Sequence, residues 1–308
     1  MFLESQNYAI VRTELDRVFF QEFQYDATTP GIATANTGEL FKPMTIDRAA
    51  YIEEVYKGAG LFPIIGEITA VPNVTPSVAN KLTTYVKDFA QGVELSKDLF
   101  DDNMHGVWSR TVSDLALKAR ISQDANAFKI FRNAFTTSLT ADGAAWISAT
   151  HTLLNGSNYS NLVTGALSTT TLNLAIIALR QQVDQANVVL GNAPAYLVVP
   201  SPLFKHALEI TQSALIADNA NNNLNVYRSA FGITVYTSPY MDAVAGGSDT
   251  AWFLLARNHC VTRLIRQGMQ TFLRDWGYSN NRTYWYQANF REEAYVPDYI
   301  GAVASTGV

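Results

Sequence analysis

The sequence has little charge and a single cysteine. Only 16% of its 308 residues are charged, against roughly a quarter in an average soluble domain. Cys260 is the one cysteine, which excludes an internal disulfide. No charge lies between Asp142 and Arg180, yet serine, threonine and asparagine interrupt that stretch, so the pattern is not that of a membrane span.

Motifs for catalysis or ligand binding are also missing. There is no phosphate loop, nucleophile elbow or zinc-protease helix. Asp142 and His151 would form a catalytic triad with a serine only through tertiary contacts that the sequence does not specify. The adjacent residues His259 and Cys260 are interpreted as a structural or incidental pair. We therefore predict no catalytic, cofactor-binding or metal-binding residue. No histidine has a partner at metal-ligand spacing, which holds for His105, His151, His206 and His259.

The distribution of charge excludes two further classes. The net charge is −5, and no run of like charges is typical of a nucleic-acid or membrane-binding arm. Sequence-specific DNA binding is therefore not expected. The first residues, with Glu4, Arg12 and Glu14, lack a basic-then-apolar secretion signal, which favours a protein made and kept in a cytoplasm.

Aromatic and apolar residues are plentiful. The chain carries 15 Tyr, 16 Phe and 5 Trp, and 48% of its residues are hydrophobic. Interface cores are depleted in charge and enriched in aromatic residues. The composition therefore fits a chain with much of its surface covered by partners, and it equally fits a globular protein with a threonine- and asparagine-rich surface.

The N-terminal third predicts an arm followed by a long hairpin. Helical spacing occurs over Asn7–Phe23 and again over Ile46–Tyr56. The hairpin is predicted to have limbs at Ile64–Val71 and Leu82–Leu95. An isolated two-stranded hairpin is marginal in water, so it must lie on its own domain or on a neighbour. The predicted tip, a candidate contact between subunits, contains Pro72, Asn73, Pro76, Ser77, Asn80 and Lys81.

A long helix is predicted over residues 104–135. Trp108, Val112 and Leu115 lie on one stripe, and no glycine or proline occurs between Val107 and Phe135. Capping side chains precede it at Asp101, Asp102 and Asn103.

Helices and strands alternate after the long helix, which predicts an α/β layered unit. The predicted helices are Leu172–Ala186 and Leu203–Thr211, and the predicted strands are Tyr196–Val199, Ile233–Thr237, Trp252–Ala256, Val261–Ile265, Gln270–Asp275, Thr283–Phe290 and Tyr299–Ala304. The chain as a whole is predicted to be α+β.

Several short strings occur in an order that resembles the phage Mu major head subunit family, one of the tailed-bacteriophage major capsid protein families. The resemblance covers roughly residues 50–308. Its strings are Phe62-Pro63 with Glu67, Asp101-Asp102 with Gly106, Asp142-Gly143 with Trp146-Ile147-Ser148 and His151, Ala178-Leu179-Arg180, Leu190-Gly191, Tyr196-Leu197-Val198-Val199-Pro200, Ser238-Pro239-Tyr240, Ala251-Trp252-Phe253-Leu254 and Val296-Pro297.

The resemblance implies a Hong Kong 97-type fold. Its expected parts are an N-terminal arm at 1–56, an extended hairpin (E-loop) at 57–100, a peripheral domain at 101–157 and 262–308 that contains the spine helix 104–135, and an α/β axial domain at 158–261. Such subunits form pentamers and hexamers that close into an icosahedral head around double-stranded DNA.

The resemblance implies that the partners are other copies of the chain together with scaffold, portal and decoration proteins. It also implies assembly in the cytoplasm of a host bacterium and no membrane. Some relatives crosslink a hairpin lysine to an asparagine, but no matching motif occurs beside Lys81 and we predict no crosslink. Two alternatives stay open at this point, an encapsulin-like nanocompartment shell and a soluble α/β enzyme.

Overall fold

Helices and strands are mixed along the chain, as expected for an α+β fold. The computed structural model describes residues 2–24, 31–58, 60–65, 67, 70–75, 77–98, 105–214, 225–274 and 283–308. Its helices include Phe2–Phe23, His105–Ala127, Lys129–Arg132, Thr169–Arg180, Phe204–Gln212 and Val226–Ala230. Its strands are β1 Lys42–Thr45, β2 Ala50–Tyr56, β3 Val78–Tyr85, β4 Lys87–Ser96, β5 His151–Thr152, β6 Asn158–Tyr159, β7 Leu162–Val163, β8 Pro194–Val199, β9 Thr234–Thr237, β10 Trp252–Ala256, β11 Thr262–Arg274, β12 Thr283–Tyr295 and β13 Ala302–Ser305.

A four-stranded sheet contains the longest strands, in the order β1-β11-β12-β4. β12 pairs antiparallel with both β11 and β4. β1 pairs in parallel with β11 and forms the edge of the sheet opposite to β4. The sequence predicted two separate strands, Val261–Ile265 and Gln270–Asp275. The structure joins them into β11, whose register shifts between Ile265 and Gln270. A bulge of this kind lets one strand continue through a local irregularity.

The long helix packs on this sheet together with the N-terminal helix. Val112 and Leu115 are buried in one cluster with Leu15 and Phe19 of the N-terminal helix and with Tyr286 of β12. The helix ends at Ala127, whereas the prediction continued it to residue 135. A four-residue helix, Lys129–Arg132, follows, and Phe128 and Phe131 pack against Phe41 in a different core cluster. The predicted capping residues Asp101, Asp102 and Asn103 lie outside the described residues.

A five-stranded sheet in the order β7-β13-β10-β8-β9 forms the α/β part of the chain. Successive residues of a strand point to opposite faces. Leu197 and Leu254 therefore face helices Thr169–Arg180 and Phe204–Gln212, while Val198 and Phe253 face Phe128 and Phe131. The first helix begins at a capping box formed by Ser168 and Thr171. It ends at Arg180, six residues before the predicted end.

The predicted helix over Ile46–Tyr56 is wrong. Residues Ala50–Tyr56 form β2, which pairs antiparallel with β3 from Ala50 opposite Tyr85 to Tyr56 opposite Val78. The segment is rich in tyrosine and β-branched residues, which favour strands. Because β2 can pair with β3 and place Tyr51 against Tyr295, with ring centroids 5.9 Å apart, the tertiary contacts override the weak helical spacing.

The first limb of the hairpin was also misplaced. The prediction assigned it to Ile64–Val71, but the described residues of that range lie in no strand. Proline cannot donate to a strand ladder, and Pro63 and Pro72 bracket the segment. β2 is the true first strand, and the ladder ends where the Lys57 N–H donates to the Ser77 carbonyl at 3.0 Å. We call residues 57–77 the tip loop.

Candidate assembly surfaces

The hairpin of β2 and β3 has one face on its own subunit. Tyr51 and Leu82 pack beside a small buried cluster with Leu264 and Tyr295. The Tyr295 hydroxyl donates to the Glu53 carboxylate at 3.2 Å. Residues directly opposite in the register share a face. The inner face of the hairpin is thus fixed by these contacts, which hold the hairpin at one orientation to the long-stranded sheet.

The other face of the hairpin is exposed. Ile52, Tyr56 and Tyr85 lie on it, with 58%, 57% and 69% of their surface exposed. Between them Lys81 Nζ lies 2.6 Å from Glu54 Oε1, and the Tyr56 hydroxyl donates to Glu54 at 2.9 Å. The hydrogen bond from Lys81 lowers the pKa of Glu54. We call these five residues the hairpin outer face; it combines apolar area with one fixed ion pair.

The tip loop carries a run of apolar side chains that are almost fully exposed. Leu61, Phe62 and Ile64 have 80%, 97% and 103% of their surface exposed. Soluble monomers rarely expose contiguous apolar patches of this kind, and such patches mark interaction sites. We call residues 60–65 the apolar segment.

The sequence-predicted tip residues separate into two groups. Pro72, Asn73 and Ser77 lie in the tip loop. Asn80 and Lys81 lie in β3, opposite Val55 and Glu54 in the register, so they belong to the body of the hairpin. Pro76 lies outside the described residues. The sequence does not point to Ile52 and Tyr56, because its spacing predicts a helix over Ile46–Tyr56.

Asp142 and His151 are in contact, buried beneath Tyr299. His151 Nδ1 lies 2.7 Å from Asp142 Oδ2, its Nε2 lies 3.2 Å from Asn161 Oδ1, and its ring stacks on Tyr299 with centroids 4.5 Å apart. Burial raises the pKa of Asp142, but the hydrogen bonds from His151 and Thr140 outweigh it and lower the pKa below its ordinary value. An amide oxygen therefore occupies the place where a triad needs a nucleophile.

His259 is a core residue. Its Nε2–H donates to the Glu39 carbonyl at 2.9 Å, while Nδ1 accepts from the Val261 N–H at 3.2 Å. Burial lowers the pKa of His259 to about 4, and burial raises the pKa of the adjacent Cys260 thiol to about 12. Both groups are neutral at pH 7. Among the described residues no cluster of three metal-ligating side chains occurs, and no helix is long and apolar enough to cross a membrane.

The family model of the phage capsid proteins matches residues 79–305, which is most of the chain. The chain belongs to the phage capsid protein family. It is a structural subunit of the virion capsid, a major capsid protein that self-assembles into the shell of the head, and not an enzyme. No curated protein matches the sequence.

Solved capsids share the fold of this capsid protein. The mature capsid of bacteriophage PhiM1 gives a TM-score of 0.56 at 10% identity, covering 92% of this chain and 90% of that chain. The capsid of the native GTA particle gives 0.52 at 14% identity, covering 92% and 93%. A virus-like particle from Pyrococcus furiosus gives 0.54 at 7% identity, covering 95% and 98%. The predicted Hong Kong 97-type fold is confirmed, and the soluble enzyme reading is wrong.

The N-terminal helix of the capsid protein lies on its own subunit. Phe19 is fully buried and meets Tyr286 edge to face, with ring centroids 6.1 Å apart. Asp16 accepts hydrogen bonds from the hydroxyls of Thr271 and Tyr286 at 2.7 and 2.8 Å. The N-terminal helix therefore covers part of the long-stranded sheet, whereas the hairpin outer face and the apolar segment stay exposed.

Proposed function

We propose that this major capsid protein forms pentamers and hexamers that close into an icosahedral head around the double-stranded DNA of a tailed phage. Assembly takes place in the cytoplasm of the host bacterium. The family match and the shared capsid fold support this proposal. The net charge of −5 suits a shell that encloses DNA without reading its sequence, because sequence-independent DNA affinity comes mainly from clustered lysine and arginine.

The apolar exposure of the hairpin is the observation that carries the proposal. The apolar segment 60–65 and the hairpin outer face have no cover in a single subunit. Burying one large apolar side chain stabilises by roughly 1.5–3 kcal/mol. A neighbouring copy that covers Phe62 and Ile64 gains this stabilisation, whereas an isolated subunit leaves both in water. The tip residues Pro72, Asn73 and Ser77, with Asn80 and Lys81 behind them, lie at this interface.

We assign the residues of the chain to the four parts of the Hong Kong 97-type fold. In this proposal residues 1–56 are the arm, 57–100 the E-loop, 101–157 and 262–308 the peripheral domain, and 158–261 the axial domain at the capsomer centre. Two structural facts refine these bounds. β2 lies within 1–56 but forms the first strand of the hairpin, and β13 lies within 262–308 but joins the five-stranded sheet beside β10. Scaffold, portal and decoration proteins are further proposed partners, which the tailed-phage resemblance implies.

Electron microscopy of the purified protein tests the proposal. We expect shells or capsomers from the protein alone or with its scaffold, while protein that stays monomeric under all these conditions contradicts it. A matched variant replaces the tip loop between Lys57 and Ser77 by an Asn-Gly turn, which suits a two-residue hairpin connection. We expect this variant to fold and to lose shell formation. If this variant formed normal shells, the tip loop would not be part of the interface between subunits.

A nanocompartment shell is the second candidate, since the fold also occurs in a virus-like particle, the one from Pyrococcus furiosus. The contents of purified particles separate the two functions. Packaged double-stranded DNA supports a phage head, and a single co-purifying enzyme supports a nanocompartment. Portal and terminase genes beside the coding sequence would also support a phage head.

A further inference from the structure

A cleft of about 430 Å³ lies at the base of the hairpin. It is bounded by the end of β3 with Leu82 and Tyr85, by the last residues of β12, and by the turn after helix Lys129–Arg132 with Leu139. Leu139 and Tyr85 form an open apolar rim, with 49% and 69% of their surface exposed. The cleft is large enough for one or two apolar side chains.

No described residue of the subunit's own tip loop lines this cleft. The register puts Tyr56 opposite Val78 at the tip end of the hairpin and Ala50 opposite Tyr85 at the base end. Val78 and Tyr85 are seven residues apart on β3, which is roughly 23 Å at the rise of a β-strand. The apolar segment and the cleft are therefore at opposite ends of one rigid ladder.

One charge of the tip loop, that of Glu67, is opposite to the excess charge of the cleft, while its other charged residue, Lys57, lies at the end of the ladder. Lys87 Nζ lies 2.8 Å from Glu293 Oε2. The ammonium group of Lys129 lies beside that of Lys87, and this contact lowers the pKa of Lys129. The cleft thus holds two lysines and one carboxylate, with an excess positive charge. Glu67, exposed in the tip loop just beyond the apolar segment, is the acidic residue of that loop.

We propose that the cleft of one copy receives the apolar segment 60–65 of a second copy, with Phe62 or Ile64 inserted and Glu67 beside Lys129. This inference rests on the proposed role of the hairpin in assembly and names the surface that receives it. The contact joins two different surfaces of the same chain, so it is heterologous. A heterologous contact leaves each copy with one free tip and one free cleft, and its repetition closes into a ring or continues as an open chain.

Disulfide trapping tests the contact in assembled particles. The variant Phe62→Cys with Leu139→Cys should give a ladder of covalent multimers after mild oxidation, because each copy then links to the next. Phe62→Cys with Leu174→Cys is the matched control, since Leu174 is 51% exposed but lies on helix Thr169–Arg180 away from the cleft. Native Cys260 is present in every sample, and the two single variants correct for it.

The outcomes separate this inference from the proposed function. A ladder from the Phe62–Leu139 pair and none from the control supports the contact. Particles that form without the ladder, or with the same ladder from the control, overturn it while the capsid function stands. Absence of particles from the unmodified protein contradicts the proposed function instead.

A charge exchange gives a second test that needs no cysteine. Lys129→Glu and Glu67→Lys should each raise the protein concentration needed for assembly by up to about fivefold, the effect of one partly exposed ion pair. The double variant restores the pair with its charges exchanged, so its assembly should return toward that of the unmodified protein. A double variant no better than the worse single variant overturns the pairing of Glu67 with Lys129.

Discussion

Arg263 Nε and Glu292 Oε2 lie 3.0 Å apart in a buried ion pair that joins β11 to β12. Only 7% and 2% of their side-chain surface is exposed. Arg263 also donates to the Ala35 carbonyl at 3.0 Å and to Asn36 Oδ1 at 2.7 Å. One guanidinium group therefore holds the central strand pair and the segment that follows the N-terminal helix.

Removal of the arginine should destabilise the subunit strongly. Breaking a buried pair leaves an uncompensated charge, which costs about 3–5 kcal/mol. We expect Arg263→Met to lower the free energy of unfolding by this amount in urea titrations. Arg291→Met is the control, because its partner Asp88 is mostly exposed and such pairs contribute about 0–1 kcal/mol. Equal losses in the two variants would contradict the structural role of Arg263.

Asp298 should make the stability of the subunit fall as the pH rises. The side chain is buried, its Oδ1 accepts the Tyr299 N–H at 2.7 Å, and burial raises its pKa to about 6. The ordinary value is about 3.9, so the folded protein holds the proton more tightly than the unfolded chain. The resulting stability is fully present below pH about 4 and is lost as the pH rises through about 6.

The variant Asp298→Asn tests this dependence, because its side chain keeps an oxygen that can accept the Tyr299 N–H but does not ionise. We expect it to raise the free energy of unfolding at pH 8 by about 1–3 kcal/mol and to leave it nearly unchanged at pH 4. Exposed Asp114→Asn is the control and should change neither value. A stabilisation that is the same at both pH values would rule out the ionisation of Asp298 as its cause.

Strong local patterns predicted the elements that depend on one segment alone. The long helix was found because Trp108, Val112 and Leu115 repeat at helical spacing without glycine or proline. β8 and β10 were found because both are short buried apolar runs. The end of the long helix was missed because Phe128 and Phe131 turn toward Phe41, a partner far away in the sequence.

Contacts between distant segments account for the other errors. β2 contains Glu53 and Glu54, which weaken its strand pattern, and only pairing with β3 fixes its state. The sequence suggests Asp142 and His151 as two members of a possible triad. No local pattern indicates that Asn161 is the residue at the other nitrogen of His151. The predicted tip contains the turn-rich residues 72–81, and Ile64 and Ile65 of the apolar segment fall in the first limb predicted over Ile64–Val71.

The two faces of the hairpin should respond differently to the same substitution. Tyr51 is partly buried and packs on Tyr295, so Tyr51→Ser should lower the free energy of unfolding by about 1–3 kcal/mol through lost burial and the lost aromatic pair. Tyr85 is 69% exposed on the outer face, so Tyr85→Ser should change stability by less than about 0.5 kcal/mol but reduce shell formation. Thermal unfolding and light scattering measure the two effects. Undiminished shells from Tyr85→Ser would show that Tyr85, which lies on the outer face and at the rim of the cleft, stays uncovered in the particle.

The N-terminal helix should be a stable part of the isolated subunit. Phe19 is fully buried against Tyr286, and truncation of a buried phenylalanine costs about 3–5 kcal/mol. We expect Phe19→Ala to lower the free energy of unfolding by this amount and to speed amide hydrogen exchange over residues 11–23. Exposed Arg17→Ala, which removes only the surface pair with Glu14, is the control and should change stability by less than about 1 kcal/mol. Fast exchange of this helix in the unmodified subunit would mean that it docks only in the assembled shell, and Phe19→Ala would then affect assembly alone.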